Sequence, residues 1–179
     1  GTTHDTTTTK TFELPVLKYT MKNGTKTALA DAIFTLSKNT TGADPINLVS
    51  VSKDTTTADI YRVAKENEAT GTTKITEITT TKSGKFTIKG LDADTYYLTE
   101  KQQPAGYNKL SAPIKVVIAE DGSITVNDQT SSVIEVKVEN KTGSILPSTG
   151  GSGTTLIYIL GAVLVLGSSV VLITKKRMR

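Results

Sequence analysis

The chain has 179 residues, no cysteine, no tryptophan and one histidine, His4. Without cysteine there is no disulfide framework and no thiol chemistry, and a lone histidine leaves transition-metal chemistry without ligands, so neither a cofactor nor a metal is expected. The net charge of +4 is carried entirely by Lys175, Lys176, Arg177 and Arg179; the rest of the chain is balanced, which marks a basic tail and not a nucleic-acid-binding surface.

The chain opens on Gly1 instead of Met and shows no signal peptide, so a fragment or a processed product is expected. Residues 1–11, GTTHDTTTTKT, are polar and low in complexity and have nothing to bury; they read as a linker or the end of a stalk. Residues 12–142 follow a strand–turn–strand pattern and form the expected domain. Its apolar stretches are FELPVLKYTM, AIFTLSK, INLVSVSK, DIYRVA, KITEITT, KFTIKGL, TYYLTE, IKVVIAE, SITV and VIEVKVEN. Turn signals separate them, among them Asn23-Gly24, Ser83-Gly84, Pro104-Ala105-Gly106 and Asp121-Gly122. Only ADIYRVAKENEA, 58–69, is compatible with a helix; a strand is preferred, with Ile60, Arg62 and Ala64 opposite Tyr61 and Val63. Many short strands at this spacing predict an all-β sandwich.

The character changes after Lys141. No charge occurs between residues 142 and 174, and 156–173, LIYILGAVLVLGSSVVLI, would reach roughly 27 Å as a helix, just enough to cross a bilayer. A single transmembrane helix is therefore expected over 154–174. The basic residues of 175–179 stay on the cytoplasmic side and leave the domain outside. Within the approach segment, 143–153, stands LPSTG: Leu146, Pro147, Ser148, Thr149, Gly150. In this order (pentapeptide, apolar span, basic stop) the C-terminus resembles the cell-wall sorting signal of Gram-positive surface proteins. The resemblance implies that a sortase cuts between Thr149 and Gly150 and holds Thr149 as a thioester. An amine of a peptidoglycan precursor, or of a lysine in a neighbouring pilin subunit, then takes over the acyl group. It also implies cell-wall anchoring at the surface, with the membrane only a transient partner. Pro147 suits the task by stiffening an extended backbone that an enzyme groove can grip.

Strand parity singles out three more residues. Side chains alternate between the faces of a strand, so in VIEVKVEN the set Ile134, Val136, Val138 continues to Asn140. In FELPVLKYTM the set Phe12, Leu14, Val16 continues to Lys18. In TYYLTE the set Tyr96, Leu98 continues to Glu100. Singly, each has a plain explanation: a lysine snorkels to water, a glutamate caps a turn, an asparagine bonds to a loop, and Lys18 with Glu100 forms a costly buried ion pair. Together they suggest chemistry. Burial disfavours the charged forms. A neutral Lys18 amine is a nucleophile, and a protonated Glu100 donates a hydrogen bond to the Asn140 carbonyl oxygen. Attack on the carboxamide then expels ammonia and leaves an amide between the two side chains, with proximity supplied by the fold.

These residues lie in segments that resemble the B-type domains of Gram-positive collagen adhesins and the related C-terminal domains of pilin subunits. The matching pieces are LKYTMKNGTKTALADAIFTL, then GKFTIKGLDADTYYLTEKQQPAGY, which looks like the segment called the E-box, then VKVENKTG. Asp31 departs from the pattern, standing where the family usually has Gly. The resemblance implies an Ig-like, prealbumin-like β-sandwich, with Lys18 as nucleophile, Asn140 as electrophile and Glu100 as acid/base of an intramolecular isopeptide bond. The bond would span about 120 residues, stabilise by roughly 4–5 kcal/mol and carry tension between the linker and the anchor. The expected function is a structural pilin subunit; the alternative is the stalk of a wall-anchored adhesin whose binding region lies upstream. No Ser-His-Asp set or phosphate loop occurs, so no turnover enzyme is expected. Asp92 and Asp94 read as a solvated turn in preference to a calcium site. The sequons at Asn23, Asn39 and Asn140 read as chance.

Overall fold

A computed structural model describes residues 9–143, and they are all-β. Eleven strands follow in chain order: β1 (Phe12–Lys22), β2 (Thr25–Ala28), β3 (Ile33–Ser37), β4 (Leu48–Ser52), β5 (Asp59–Val63), β6 (Ile78–Thr79), β7 (Lys85–Leu91), β8 (Asp94–Gln102), β9 (Ile114–Ile118), β10 (Ile124–Val126) and β11 (Val136–Glu139). One sheet has the order β11-β1-β7-β5-β4, with β2 paired to the end of β1; the other has the order β10-β9-β8-β3-β6. Their apolar faces meet in a single core. Leu14 and Val16 of β1 are buried, as are Phe34 and Leu36 of β3, and the rings of Phe34 and Phe86 meet with centroids 5.7 Å apart. Alternation of apolar and polar residues is what allows each strand to face this core on one side and water on the other.

The first and last strands are neighbours. β1 pairs with β11 in parallel, matching Val16 with Val136 and Lys18 with Val138. On its other side β1 pairs antiparallel with β7 through Leu17 and then with β2 from Tyr19 onward. Lys18 sits at the hand-over. Its N–H donates to the Gly84 carbonyl at 2.7 Å, while its own carbonyl accepts from the Leu29 N–H at 3.0 Å.

Gly84 is required at that point. Its φ is +64°, and a Cβ there would lie 2.4 Å from the Lys18 carbonyl oxygen. Both the left-handed backbone and the clash penalise any side chain. Gly84→Ala is expected to destabilise the sandwich by about 3 kcal/mol. Gly71→Ala, with φ +88° but open space around it, should cost only about 1 kcal/mol. Denaturant midpoints of the two variants check the difference.

Four local expectations are refined. DIYRVA is a strand, with Asp59 and Tyr61 buried and Val63 packed partly on the core. β2 had no apolar pattern to announce it. It exists because Asn23 and Gly24, with φ 49° and 77°, make the tight turn that folds β1 back on itself. KITEITT contracts to the two residues of β6, with Ile75 held by an isolated bridge to Leu48. In VIEVKVEN the expected inward set fails at Ile134, which is 92% exposed. Val133 instead bridges to Ile124 in the second sheet, and the chain then crosses to the first sheet, where β11 begins at Val136. The crossing breaks the parity between Val133 and Val136. At Asp31, where glycine was expected, φ is +63°; aspartate is among the few residues that tolerate this region, and its N–H is held by the Thr80 carbonyl at 2.9 Å.

Candidate functional site

Lys18, Glu100 and Asn140 are brought together in the interior and are 0%, 2% and 1% exposed. Two neighbouring strands supply the lysine and the asparagine. Because Lys18 is level with Val138 across the parallel pair, Asn140 lies one step further on the same face, and its N–H extends the ladder to the Tyr19 carbonyl at 3.0 Å. Glu100 comes from β8 in the opposite sheet, paired there with Phe34. The Phe34 ring centroid is 6.0 Å from Lys18 Nζ, so the amine faces an aromatic wall on one side.

The carboxylate touches both partners. Lys18 Nζ is 3.4 Å from Glu100 Oε1 and donates to the Val138 carbonyl at 3.2 Å. Asn140 Nδ2 donates to Glu100 Oε2 at 3.0 Å and to the Asn108 carbonyl at 2.8 Å. Oε2 also accepts from the Leu110 N–H at 2.8 Å. Asn140 Oδ1 has no hydrogen-bond partner among the described residues. The expected contact from a protonated Glu100 to the Asn140 carbonyl oxygen is therefore not the one present: the carboxylate meets the amide nitrogen. The physical reason is the Asn108 carbonyl, which can only accept and so turns the nitrogen end of the carboxamide inward.

Burial pushes the Lys18 amine below its ordinary value of 10.5, and the attraction of Glu100, followed by that of Glu139, only partly opposes it. An amine, a carboxyl group and a carboxamide in contact, away from water, are the ingredients of amide exchange. The Lys18 shift has a measurable consequence when the asparagine is removed. In Asn140→Ala the folded state binds fewer protons at Lys18 than the unfolded chain does, over the window between the lowered value and 10.5. Stability is thus expected to rise with pH through that window, and adding Lys18→Met should abolish this slope in pH-dependent denaturant melts.

Two contributors were invisible to the parity reading, Asn108 and Leu110, because they act through main-chain groups. Proline and glycine in PAGYNKLSAP marked only a loop. A second buried acid, Asp59, was also missed. It is 1% exposed, bonded to Lys53 Nζ at 3.0 Å and to the Asp54 N–H at 2.9 Å. With Lys53 half-exposed, this pair closes the β4–β5 hairpin. Asp94 is paired with Lys38 at 2.7 Å and takes the Thr95 N–H at 2.7 Å. The expected sortase residues Leu146, Pro147, Ser148, Thr149 and Gly150, the span over 154–174 and the basic tail lie outside the described residues.

Comparison with known proteins adds the wider context. A family model described as the SpaA prealbumin-like fold domain matches residues 16–132, and one described as the LPXTG cell wall anchor motif matches residues 139–178. No curated protein matches. Among solved structures, the minor pilin GBS52 of Streptococcus agalactiae is 24% identical over 75% of this chain and 45% of its own, with a TM-score of 0.48. The group B streptococcus pilus 2b backbone protein is 27% identical over 76% of this chain and 43% of its own, with a TM-score of 0.44. The shaft pilin SpaA from Lactobacillus rhamnosus GG is 20% identical over 77% of this chain and 50% of its own, with a TM-score of 0.45. The chain spans half or less of each of these. The anchor motif gives the protein its location, the cell surface, anchored in the wall. Since the first model covers well over half of its length, the chain belongs to the SpaA prealbumin-like fold domain family.

Proposed function

We propose that this chain is the anchor-proximal part of a structural pilin subunit whose sandwich welds itself shut. Lys18 Nζ attacks the Asn140 side-chain carbonyl carbon, Glu100 carries the proton, and ammonia leaves. The reaction turns over once and serves the protein's own strength. The observation that supports this reading above all others is the shared carboxylate: Glu100 touches the amine at 3.4 Å and the carboxamide nitrogen at 3.0 Å, with all three side chains buried. A bland buried ion pair would leave the asparagine without a reason to sit on the same carboxylate. At the C-terminus, a sortase would cleave between Thr149 and Gly150 and pass Thr149 to a peptidoglycan precursor or to a lysine of the next subunit. The apolar span and cytoplasmic basic tail would hold the chain at the membrane until then.

Intact mass tests the weld. The wild-type chain should fall short of its sequence mass by one ammonia, and a full sequence mass overturns the cross-link. Gels of wall extracts test the assembly. A ladder of high-mass species that disappears with Thr149→Ala supports a pilin; a single wall-bound species overturns the pilin reading in favour of an adhesin stalk.

A further inference from the structure

The segment after β8 crosses the buried site with its backbone, not with side chains. Pro104 is buried, and its carbonyl accepts from the Tyr107 N–H at 3.2 Å, closing a tight turn. From there residues 108–110 run over the end of β11. The Asn108 N–H donates to the Lys141 carbonyl at 2.9 Å, the Asn108 carbonyl accepts from Asn140 Nδ2 at 2.8 Å, and the Leu110 N–H donates to Glu100 Oε2 at 2.8 Å. The Leu110 side chain packs partly against the core and anchors the far end. Two main-chain groups of one short strap thus hold Asn140 and Glu100, and a third ties the strap to Lys141.

We propose that the 108–110 strap is a positioning element for the amide exchange: it selects the carboxamide orientation that presents the leaving nitrogen, not the carbonyl oxygen, to Glu100. This rests on the cross-link reading above. The two ends of a carboxamide are nearly equal in size, so packing alone does not choose between them. A main-chain carbonyl does, since it accepts and never donates. The N–H groups of Nδ2 are divided between the Asn108 carbonyl and Oε2, and the Leu110 N–H keeps the carboxylate from rotating away.

The result is a carboxylate with two separate ports. Oε1 faces the attacking amine and Oε2 faces the leaving nitrogen. Neutral Lys18 Nζ forms a bond to Asn140 Cγ, and the Cγ–Nδ2 bond breaks. The Glu100 carboxylate takes one proton from Nζ and gives one to Nδ2, which departs as ammonia. Glu100 ends as it began. A cleft of about 300 Å³, lined by Thr41, Thr99, Glu100, Lys109 and Leu110 among others, opens beside the strap.

The test removes one strap donor and nothing else. The full chain, with the Leu110 amide replaced by an ester through ligation of the hydroxy-acid analogue, is purified in denaturant and refolded by dilution into detergent. Ammonia loss is followed by mass against time. The ester chain should fold but lose ammonia about 10–100-fold more slowly, the effect of one hydrogen bond to a charged group. A second readout needs no reaction. In the Lys18→Ala chain, the Asn140 side-chain N–H pair should give two resolved, slowly exchanging NMR signals with cross-peaks to residues 108–110. An ester chain reacting at the wild-type rate overturns the positioning role, as does an Asn140 amide in rapid exchange. Should the ester chain not fold, the NMR signature decides. A wild-type chain that keeps its full sequence mass brings down the cross-link reading instead, so the two failures are distinguishable.

Discussion

The Lys18→Ala chain is expected to melt on the order of 15 °C below the wild type, and Asn140→Ala and Glu100→Gln should fall by similar amounts. A link between Lys18 and Asn140 closes a loop of about 120 residues, and removing the closure from the unfolded ensemble is worth roughly 4–5 kcal/mol in the chain-entropy account. For a domain of this size each kcal/mol moves the midpoint by about 3–4 °C. The three effects should not add, because each variant loses the same bond; any double variant should melt close to the singles. Glu100→Gln carries the most weight. It keeps the size and shape of the side chain and leaves Lys18 and Asn140 in place, so a large loss, accompanied by recovery of the ammonia mass, identifies the proton carrier. Calorimetry paired with intact mass reads both quantities. A Glu100→Gln chain that still lacks one ammonia would remove the carboxylate from the chemistry.

The second large effect is mechanical. β1 and β11 are adjacent and parallel, so tension applied at residue 12 and at residue 141 pulls the two strands past each other. With the cross-link in place, force enters β1, passes from Lys18 to Asn140 and leaves; the 19–139 segment carries none of it. Single-molecule pulling of the wild type should lengthen it by only about a few ångströms, because the residues of β1 before Lys18 are already extended in the strand. In Lys18→Ala the whole interior becomes extensible, and the contour length should grow by roughly 400 Å. A wild-type chain that lengthens as far as the variant would show that the bond is absent or lies off the load path. An amide link would also be indifferent to reductants that open disulfides, which suits a chain without cysteine.

The residues of the site were legible in the sequence to different degrees, each for its own physical reason. Lys18 and Glu100 were visible because each continues an apolar set by one step, and a strand side chain has no freedom to choose its face. Asn140 was visible for the same reason, although part of the set that pointed to it was misassigned. Ile134 is exposed because the chain changes sheets after Val133, and a period-two pattern cannot register a crossover. β2 was not legible at all: TKTA is polar on both faces and becomes a strand only because the Asn23-Gly24 turn lays it beside β1. Asp59 was hidden on the inward face of a strand otherwise read correctly, where only the position of Lys53 explains how a carboxylate can be buried.

By itself the sequence determined the all-β sandwich, the anchor signal and the face of each polar intruder, because alternation, turn residues and an uncharged apolar run are local properties written in consecutive residues. The tertiary structure alone decided that the first and last strands are parallel neighbours, that Glu100 arrives from the opposite sheet, and that the carboxamide turns its nitrogen to the carboxylate. Those facts depend on contacts between residues far apart in the chain and on main-chain groups of 108–110, which every residue possesses and no residue type reveals.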